Sequence, residues 1–332
     1  MTELDSWHAQ VSEDIIEPER PIIDPHHHLW RMGTPYELED LWADTKAGHN
    51  ITGTVFIECG AEYRTDGPVA LQPVGETEYV VAQAKQARKG EAPGKPPILG
   101  IVSHADLTLG AAVVDVLEAH QESAEGLLRG IRHSTAFYPD PPAVDRYAGR
   151  VAELMLQPSF REGFAQLSSA GLSYDAWLLH TQITELTDLA RAFPDTTIIL
   201  DHFGGPLGVG PYEGKAAAVF EVWRKDMMIL AKRPNVAVKL GGLVMPINGF
   251  GLHKRRKPPT SDEIKALTGD YYRCAIEEFG PERCMFESNF PVDRQSCSYL
   301  VLWNSFKKLV KDASPDEKAS LFHDTATRIY RL

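Results

Sequence analysis

Eight short runs of apolar, largely β-branched residues are spaced along the 332-residue chain, and stretches with a helical period separate them. Fully apolar runs of this kind are typical of parallel strands buried on both faces. The stretches between them repeat apolar residues every three or four positions, as amphipathic helices do. This alternation predicts a single α/β domain over residues 1–332, a (β/α)8 TIM barrel. The runs are PIID, TGTVFIEC, PILGIVSH, LLRGIRH, YDAWLLH, TTIILDH, NVAVKLGG and CMFESNF.

The two ends of the chain fall outside the eight predicted units. Residues 1–20 form an N-terminal extension that is too acidic and polar for a signal peptide, and no apolar run reaches membrane-spanning length. Residues 314–332 are predicted to form a C-terminal helix on the outside of the barrel. Ser314, Pro315 and the acidic residues that follow are typical of a capped helix start.

Composition excludes several functional classes. The formal net charge of −12 makes the chain a poor candidate for binding nucleic acid or an anionic membrane. Its four cysteines are scattered without metal-type spacing, so we expect a reduced, cytoplasmic protein. The sequence leaves the oligomeric state open, and a homo-oligomer is compatible with it.

The segment DPHHHLW, at residues 24–30, ends the first predicted strand. Side chains alternate between the two faces of a strand, so His26 and His28 point the same way and His27 points the opposite way. In a TIM barrel the active site forms at the carboxyl ends of the strands, which places this pair at the catalytic rim. Because histidine is the commonest metal ligand and zinc accepts it readily, we predict that His26 and His28 bind a divalent metal ion.

Other predicted strand ends also carry polar side chains. Taken alone, a histidine at such a position is more often a hydrogen-bonded core or rim residue, and we favour that interpretation for His27, His104 and His133. The crowding of imidazoles at one rim nevertheless indicates a site. The residues concerned are Glu58, His104, His133, His180, His202 and Asn289, with Asp293 a few positions further on.

Four segments resemble motifs of a known family. DPHHHLW, LDHFGGP, VKLGGL and MFESNFPVD are similar to the strand-one, strand-six, strand-seven and strand-eight motifs of the amidohydrolase superfamily, in the amidohydrolase 2 group that includes sugar-lactone and pyrone-dicarboxylate lactonases. The resemblance covers residues 21–332 and implies a hydrolase with His26 and His28 as metal ligands. It adds His180 from strand five as a ligand and His202 from strand six.

The resemblance also bears on the number of metal ions. Members with two metal ions typically use a carboxylated lysine at the end of strand four, where this chain has GIRHS. We therefore expect one ion or none, with zinc favoured and manganese as the alternative. Some lactonases of this group work without a metal, so the resemblance leaves a metal-free reaction open.

The strand-eight aspartate of the family, which binds metal or acts as general base, is matched here by Asn289. A neutral amide cannot take a proton from water, although its carbonyl oxygen can bind a metal or a substrate. Asp293 is a candidate for the displaced acid or base, and its alternatives are a helix N-cap or a partner for Arg294. Glu58 is a second candidate, as ligand or acid/base, and its alternative is a buried ion pair with Arg132 or Lys239 of a neighbouring strand.

Two cations of the predicted strands suggest an anionic substrate. The guanidinium of Arg132 matches a carboxylate, and Lys239 can hold a carboxylate or polarise a carbonyl; for both, the alternative is ion pairing inside the barrel. The basic run at 254–257, in the loop after strand seven, is either a solvated loop tip or a lid that attracts a small anionic substrate. Further candidates for the pocket wall are His133, Tyr63 and Arg64.

Three functions compete on these observations. The leading hypothesis is hydrolysis of a lactone or cyclic ester that bears a carboxylate, with a metal polarising the carbonyl or activating water and with His202, Asp293 or Glu58 moving protons. The second is a non-oxidative decarboxylase, which would use the same ligands but protonate a carbon. The third is a barrel that has lost catalysis and binds a metabolite or a partner protein. Asn289 favours the third, and the intact His26/His28 pair argues against it.

Overall fold

The computed structural model of the protein describes residues 2–90, 92–139 and 151–332. Its strands are all parallel and follow one another in the sheet in chain order, so the predicted TIM barrel is confirmed. The strands are β1 (Pro21–His27), β2 (Asn50–Ile57), β3 (Ile98–Ser103), β4 (Leu128–Arg132), β5 (Ser173–Ala176), β6 (Ile198–Leu200), β7 (Val236–Leu240) and β8 (Cys284–Phe286).

Helices follow the strands and pack around the barrel, and one short helix precedes β1. They are α1 (Glu3–His8), α2 (Leu38–Thr45), α3 (Val74–Lys89), α4 (Val113–Ser123), α5 (Pro158–Ser169), α6 (Ile183–Ala192), α7 (Ala216–Leu230), α8 (Ser261–Phe279), α9 (Tyr299–Leu309), α10 (Pro315–Ala319) and α11 (Thr325–Tyr330). The six helices expected after the second to seventh strands are α3 to α8. Thr260 and Glu263 form a capping box that starts α8, and Gly280 follows its end with φ +79°. Among the described residues, no helix is both long and apolar enough to cross a membrane.

The circle is completed by the chain segment that follows β8. The Asn289 N–H donates to the carbonyl oxygen of His26 at 3.0 Å, and the His28 N–H donates to that of Phe290 at 2.8 Å. These bonds fix the end of β1 against the residues after β8. The two motifs that the resemblance emphasised, DPHHHLW and ESNF, are therefore adjacent in space.

The interior of the barrel has an apolar layer with a charged layer above it. The apolar layer consists of Ile23, Val55, Ile57, Val102, Ile199, Ala237 and Met285. Side chains two positions further along a strand point the same way, so Asp201, Lys239 and Glu287 rise above this layer at the carboxyl end. All three are fully buried. The barrel therefore places its charges at the end where active sites of this fold form.

Both chain ends pack onto the barrel. In α1, Trp7 Nε1 donates to the Arg255 carbonyl at 3.0 Å, and Asp5 accepts from Arg294 at 2.6 Å, so the extension lies on the loops after β7 and β8. The segment expected to form one external C-terminal helix is instead α10, a π-helical turn at Ser320–Asp324, and α11. The last residue of α11, Tyr330, is fully buried against the apolar interior layer.

Candidate functional site

A network of buried ion pairs occupies the carboxyl end of the barrel. Lys239 Nζ donates to Asp175 Oδ2 at 2.7 Å and lies 3.1 Å from Asp201 Oδ1. Arg132 Nε donates to Glu58 Oε1 at 2.7 Å, and its Nη1 donates to Asp201 Oδ2 at 3.2 Å. For Glu58, Arg132 and Lys239, the structure therefore has the ion-pairing arrangement named as their alternative, and neither cation is a free anion fork.

Glu287, which the sequence interpretation did not single out, lies behind two imidazoles. Its Oε1 accepts from His202 Nδ1 at 2.6 Å, and its Oε2 lies 2.9 Å from His26 Nδ1. Burial raises the pKa of this carboxyl, but the two imidazoles outweigh burial and hold the pKa at about 2. Glu287 is therefore ionised, and in the described part of the chain the basic side chains within 4.0 Å of its oxygens are both histidines.

The predicted pair, His26 and His28, faces inward together. His28 Nδ1 donates to the carbonyl oxygen of Ile57 at 2.8 Å, and the two Nε2 atoms are 3.3 Å apart. Burial lowers the pKa of His26 to about 4 and that of His28 well below its usual range, so both rings are neutral near pH 7. Two nitrogens bound to one tetrahedral zinc, each at about 2.1 Å, are roughly 3.4 Å apart. The spacing of the pair therefore fits a shared ion.

The surrounding donors also fit a divalent metal. Ligand atoms of His26, His202 and Glu287 lie within 4.8 Å of one another. The buried network holds more carboxylates than strand cations, so an added positive charge would balance it. Its acidic members are Glu58, Asp175, Asp201 and Glu287, and its strand cations are Arg132 and Lys239. One contact opposes an ion bound by the Nε2 atoms of His26 and His28, because Arg132 Nη1 is 3.5 Å from His26 Nε2.

A cavity of about 430 Å³ opens above the imidazoles. Its lining includes His28, His202, Glu58, Arg132, Asn289, Trp30 and Trp177. A second cavity of about 330 Å³ shares Glu58 and Ser134 with the first, and Tyr63 and His133 line it together with His104. Arg64 lines neither cavity and donates to Glu78 on the surface. The structure therefore brings every predicted substrate contact except Lys239 and Arg64 to a cavity wall.

A larger depression of about 870 Å³ lies at the opposite end of the barrel, beside Asn50 at the start of β2 and Pro97 before β3. Residues of the charged network do not line it. Size alone therefore does not identify the site, and the smaller cavity at the carboxyl ends of the strands is the candidate.

Close backbone approach explains the two glycines of VKLGGL. A Cβ on Gly242 would lie 2.5 Å from His202 Cγ, and one on Gly241 would lie 2.4 Å from Glu287 Cγ. His202 has φ +52° and Asn289 has φ +55°, conformations that cost energy in residues other than glycine and often occur at functional sites. The segment after β7 is therefore shaped to let the Glu287–His202 pair form.

Asn289 and Asp293 form a pair in which only the amide reaches the cavity. Asn289 Nδ2 donates to Asp293 Oδ1 at 3.0 Å, which leaves the amide oxygen as the group that Asn289 can offer a ligand. Burial raises the pKa of Asp293 well above its usual range. Arg294 pairs with Asp5 and Asp44 and not with Asp293. Asp293 therefore acts on the cavity through Asn289.

His180 lies apart from the other imidazoles of the predicted metal site. The strand expected to reach it ends at Ala176, and His180 lies in a 3-10 helical turn, His180–Gln182, beyond that end. His180 Nδ1 accepts from the Leu207 N–H at 3.4 Å, and its ring contacts Tyr212 with a centroid distance of 5.0 Å. The residue of β5 that enters the charged network is Asp175.

Glu76 of α3 holds the loop that follows Glu58, and it gives a pH-dependent prediction. Its Oε1 accepts from the N–H groups of Cys59 and Ala61, at 2.9 and 2.8 Å, and its buried Oε2 has no partner among the described residues. Burial, and then the charge of Glu58, raises the pKa of Glu76 from 4.5 to about 8.

The protonated Glu76 therefore stabilises the fold fully below pH 4.5, and this contribution is lost as the pH rises through about 8. We expect Glu76→Gln to flatten the fall in stability over this interval and to be more stable than the wild type above it. Urea unfolding at several pH values measures this, and equal slopes for the two proteins would contradict it.

Comparisons with known proteins agree with this geometry. The family model described as Amidohydrolase matches residues 23–332. The uncharacterized protein y4mH of Sinorhizobium fredii is 36% identical over 94% of this chain and 98% of its own length. An L-fucono-1,5-lactonase of Burkholderia multivorans is 25% identical over 93% of this chain and 96% of its own. A crystal structure of an amidohydrolase from Burkholderia multivorans with bound zinc has a TM-score of 0.72 at 22% identity, covering 94% of this chain and 99% of that one.

The similarity to that crystal structure supports the fold, whose strand order is described above. The family match extends over nearly the whole chain, from the third residue of β1 to the last residue. The relative at 36% identity covers 94% of the chain. This chain therefore belongs to the amidohydrolase family, and it is a hydrolase.

Proposed function

We propose that the protein hydrolyses a lactone and that His202 is the general base. The observation that carries this proposal is the 2.6 Å contact between His202 Nδ1 and the ionised Glu287, in a ring that lines the cavity. A carboxylate in this position fixes the imidazole tautomer and leaves Nε2 as the proton acceptor. The named lactonase relative supports the same reaction class.

The reaction then follows from the positions of the side chains. A water molecule attacks the lactone carbonyl carbon while His202 Nε2 takes its proton. The ring C–O bond breaks, the leaving oxygen receives that proton, and the product is a hydroxy acid. Glu287 stabilises the imidazolium that forms in between. Trp30 and Trp177 line the cavity and would hold the lactone ring between apolar faces.

We further propose that His26 and His28 hold one divalent metal through their Nε2 atoms, with the amide oxygen of Asn289 lining the same cavity. A bound divalent ion supplies Lewis-acid polarisation of the substrate carbonyl. On the far side of His26, Lys239 Nζ lies 3.1 Å from Nδ1, and its positive charge would repel a cation there. Glu287 is fully buried and lines no part of the cavity, so it serves as an orienting acceptor for His202.

The charges of the cavity favour an uncharged substrate. Glu58 and Arg132 are the acidic and strongly basic side chains among the described lining residues, and they are paired with each other at 2.7 Å. Apart from the proposed metal ion, a carboxylate on the substrate would therefore find no unpaired lysine or arginine among the described residues that line this cavity. Aromatic walls and polar groups together suit a polyhydroxylated sugar lactone, whose C–H faces pack on indole rings.

Hydrolysis of defined lactones tests this proposal. We expect acid release, above the uncatalysed rate, from five- or six-membered sugar lactones, and a loss of roughly 100-fold or more in kcat for His202→Asn. A pH-indicator assay measures both quantities. Activity confined to carboxylate-bearing lactones would overturn the substrate class. Carbon dioxide release without ring opening would support a decarboxylase, and an inert panel would support a non-catalytic barrel.

Metal content is a separate prediction. Protein purified with neither a His-tag nor a chelator should carry about one equivalent of zinc or manganese, and His26→Ala/His28→Ala should lose it. Inductively coupled plasma mass spectrometry measures the content. His180→Ala is the matched control, because its ring lies outside the cluster and its removal should leave the content unchanged. Metal-free wild-type protein, even after soaking, would contradict the proposed ligand role.

A further inference from the structure

The last helical residue of the chain reaches the underside of the candidate site. Tyr330, at the end of α11, is fully buried and packs with Ile23, Val55, Ile199 and Met285 in the interior of the barrel. Its ring lies 5.4 Å from Lys239 Nζ. A side chain from outside the eight βα units therefore lies directly below the charged network.

A chain of short contacts connects Tyr330 with the first predicted metal ligand. The Tyr330 hydroxyl donates to Asp175 Oδ2 at 2.6 Å, and Lys239 Nζ donates to the same oxygen at 2.7 Å. Lys239 Nζ also lies 3.1 Å from His26 Nδ1. All four side chains are fully buried, so water does not compete for these contacts.

We propose that Tyr330 is a positioning residue for the site, acting through Asp175 and Lys239 on His26. The inference rests on the proposed function for its effect on turnover. Lys239 has a long flexible stem, and Asp175 Oδ1 has no partner among the described residues, so this carboxylate can turn unless its other oxygen is held. Tyr330 holds that oxygen from below. The ammonium is thereby kept against His26 and does not move fully toward Asp201, its other acceptor.

Tyr330→Phe tests the inference because it removes only the hydroxyl. We expect kcat to fall roughly 10-fold with KM unchanged, since Tyr330 does not line the cavity and the effect is one of orientation. We also expect the Nδ1 resonance of His26 to shift in the 15N spectrum of histidine-labelled protein, assigned with His26→Asn. The spectrum is recorded on metal-free protein, so it reports on Lys239 and His26 whether or not any lactone is a substrate.

Tyr36→Phe is the matched control. The Tyr36 hydroxyl donates to Asp44 Oδ2 at 2.9 Å, in a partly buried tyrosine–aspartate pair that includes none of the four residues. Both variants should lose similar thermal stability, but only Tyr330→Phe should shift the His26 resonance. An unchanged His26 resonance, or an equal shift in both variants, would overturn the positioning role. A shifted resonance in a protein inactive on all lactones would count against the proposed function alone.

Discussion

Replacing Glu287 by glutamine should reduce lactone hydrolysis by roughly 100-fold or more, although it changes one atom of a fully buried side chain. The carboxylate accepts from His202 Nδ1 with one oxygen and lies 2.9 Å from His26 Nδ1 with the other. A glutamine has a single acceptor oxygen, so in one of its two amide orientations an N–H group would oppose His202 Nδ1. His202 would also lose the charge that stabilises its protonated form. Steady-state kcat on the substrate found in the lactone panel measures the effect.

Glu76→Gln is a matched control for this variant. Glu76 is a second buried glutamate at the same end of the barrel, but burial and Glu58 raise its pKa to about 8, so at pH 7 the glutamine replaces an already protonated acid. We expect kcat to change little in Glu76→Gln. If Glu287→Gln kept wild-type kcat while folding normally, the His202–Glu287 pair would not be the proton acceptor.

The order of strands and helices could be predicted from the sequence because each βα unit carries its own local signal. β-branched runs, helical periods and caps such as Thr260–Glu263 act within a few residues, and their order alone specified a barrel. The His26/His28 pair was readable for the same reason, since alternation along one strand requires no knowledge of the neighbouring strands.

Glu287 and Asp201 show what the same reasoning could have found. Each lies two positions after an inward-facing apolar residue, Met285 or Ile199, so alternation places both carboxylates inside the barrel. In the motif ESNF, the family resemblance instead pointed to Asn289, the position that matches the family aspartate. The missed signal was therefore present in the chain.

The Glu58–Arg132 ion pair was one of the alternatives that the sequence offered, but the pairing of Asp175 and Asp201 with the strand cations could not be predicted from it. Arg132 pairs with Glu58 and Asp201, and Lys239 pairs with Asp175 and Asp201, because the strand register brings these side chains to the same height in the barrel. Register depends on contacts across the whole sheet, so no local pattern determines it.

Strand length limited the site prediction in a similar way. The apolar run before His180 continues past the last paired residue of β5, but the chain leaves the sheet at Ala176. Periodicity alone could not distinguish the end of the strand from the apolar turn after it. His180 was consequently expected at the rim, while Asp175 has the inward position.

Removing the Lys239 ammonium should have the largest effect on stability. Lys239→Met should lower the free energy of unfolding by about 3–5 kcal/mol, because Asp175 and Asp201 would remain buried without the cation they share. Burial lowers the pKa of Lys239, but these two carboxylates outweigh burial and raise it, so the ammonium is charged in the folded protein. Urea unfolding at pH 7 measures the loss.

Two further variants separate this effect from a simple change of side-chain volume. Lys85→Met removes an exposed lysine that pairs with Glu125 at 2.6 Å, and we expect no measurable change because exposed ion pairs contribute little. Adding Asp175→Asn to Lys239→Met removes one of the two buried carboxylates that the lysine substitution leaves without a cation. The double variant should therefore recover part of the lost stability, since an amide oxygen still accepts from Tyr330. If the double variant were less stable than Lys239→Met alone, the loss would have to arise from packing around the lysine stem, and the charge balance of the network would not be its cause.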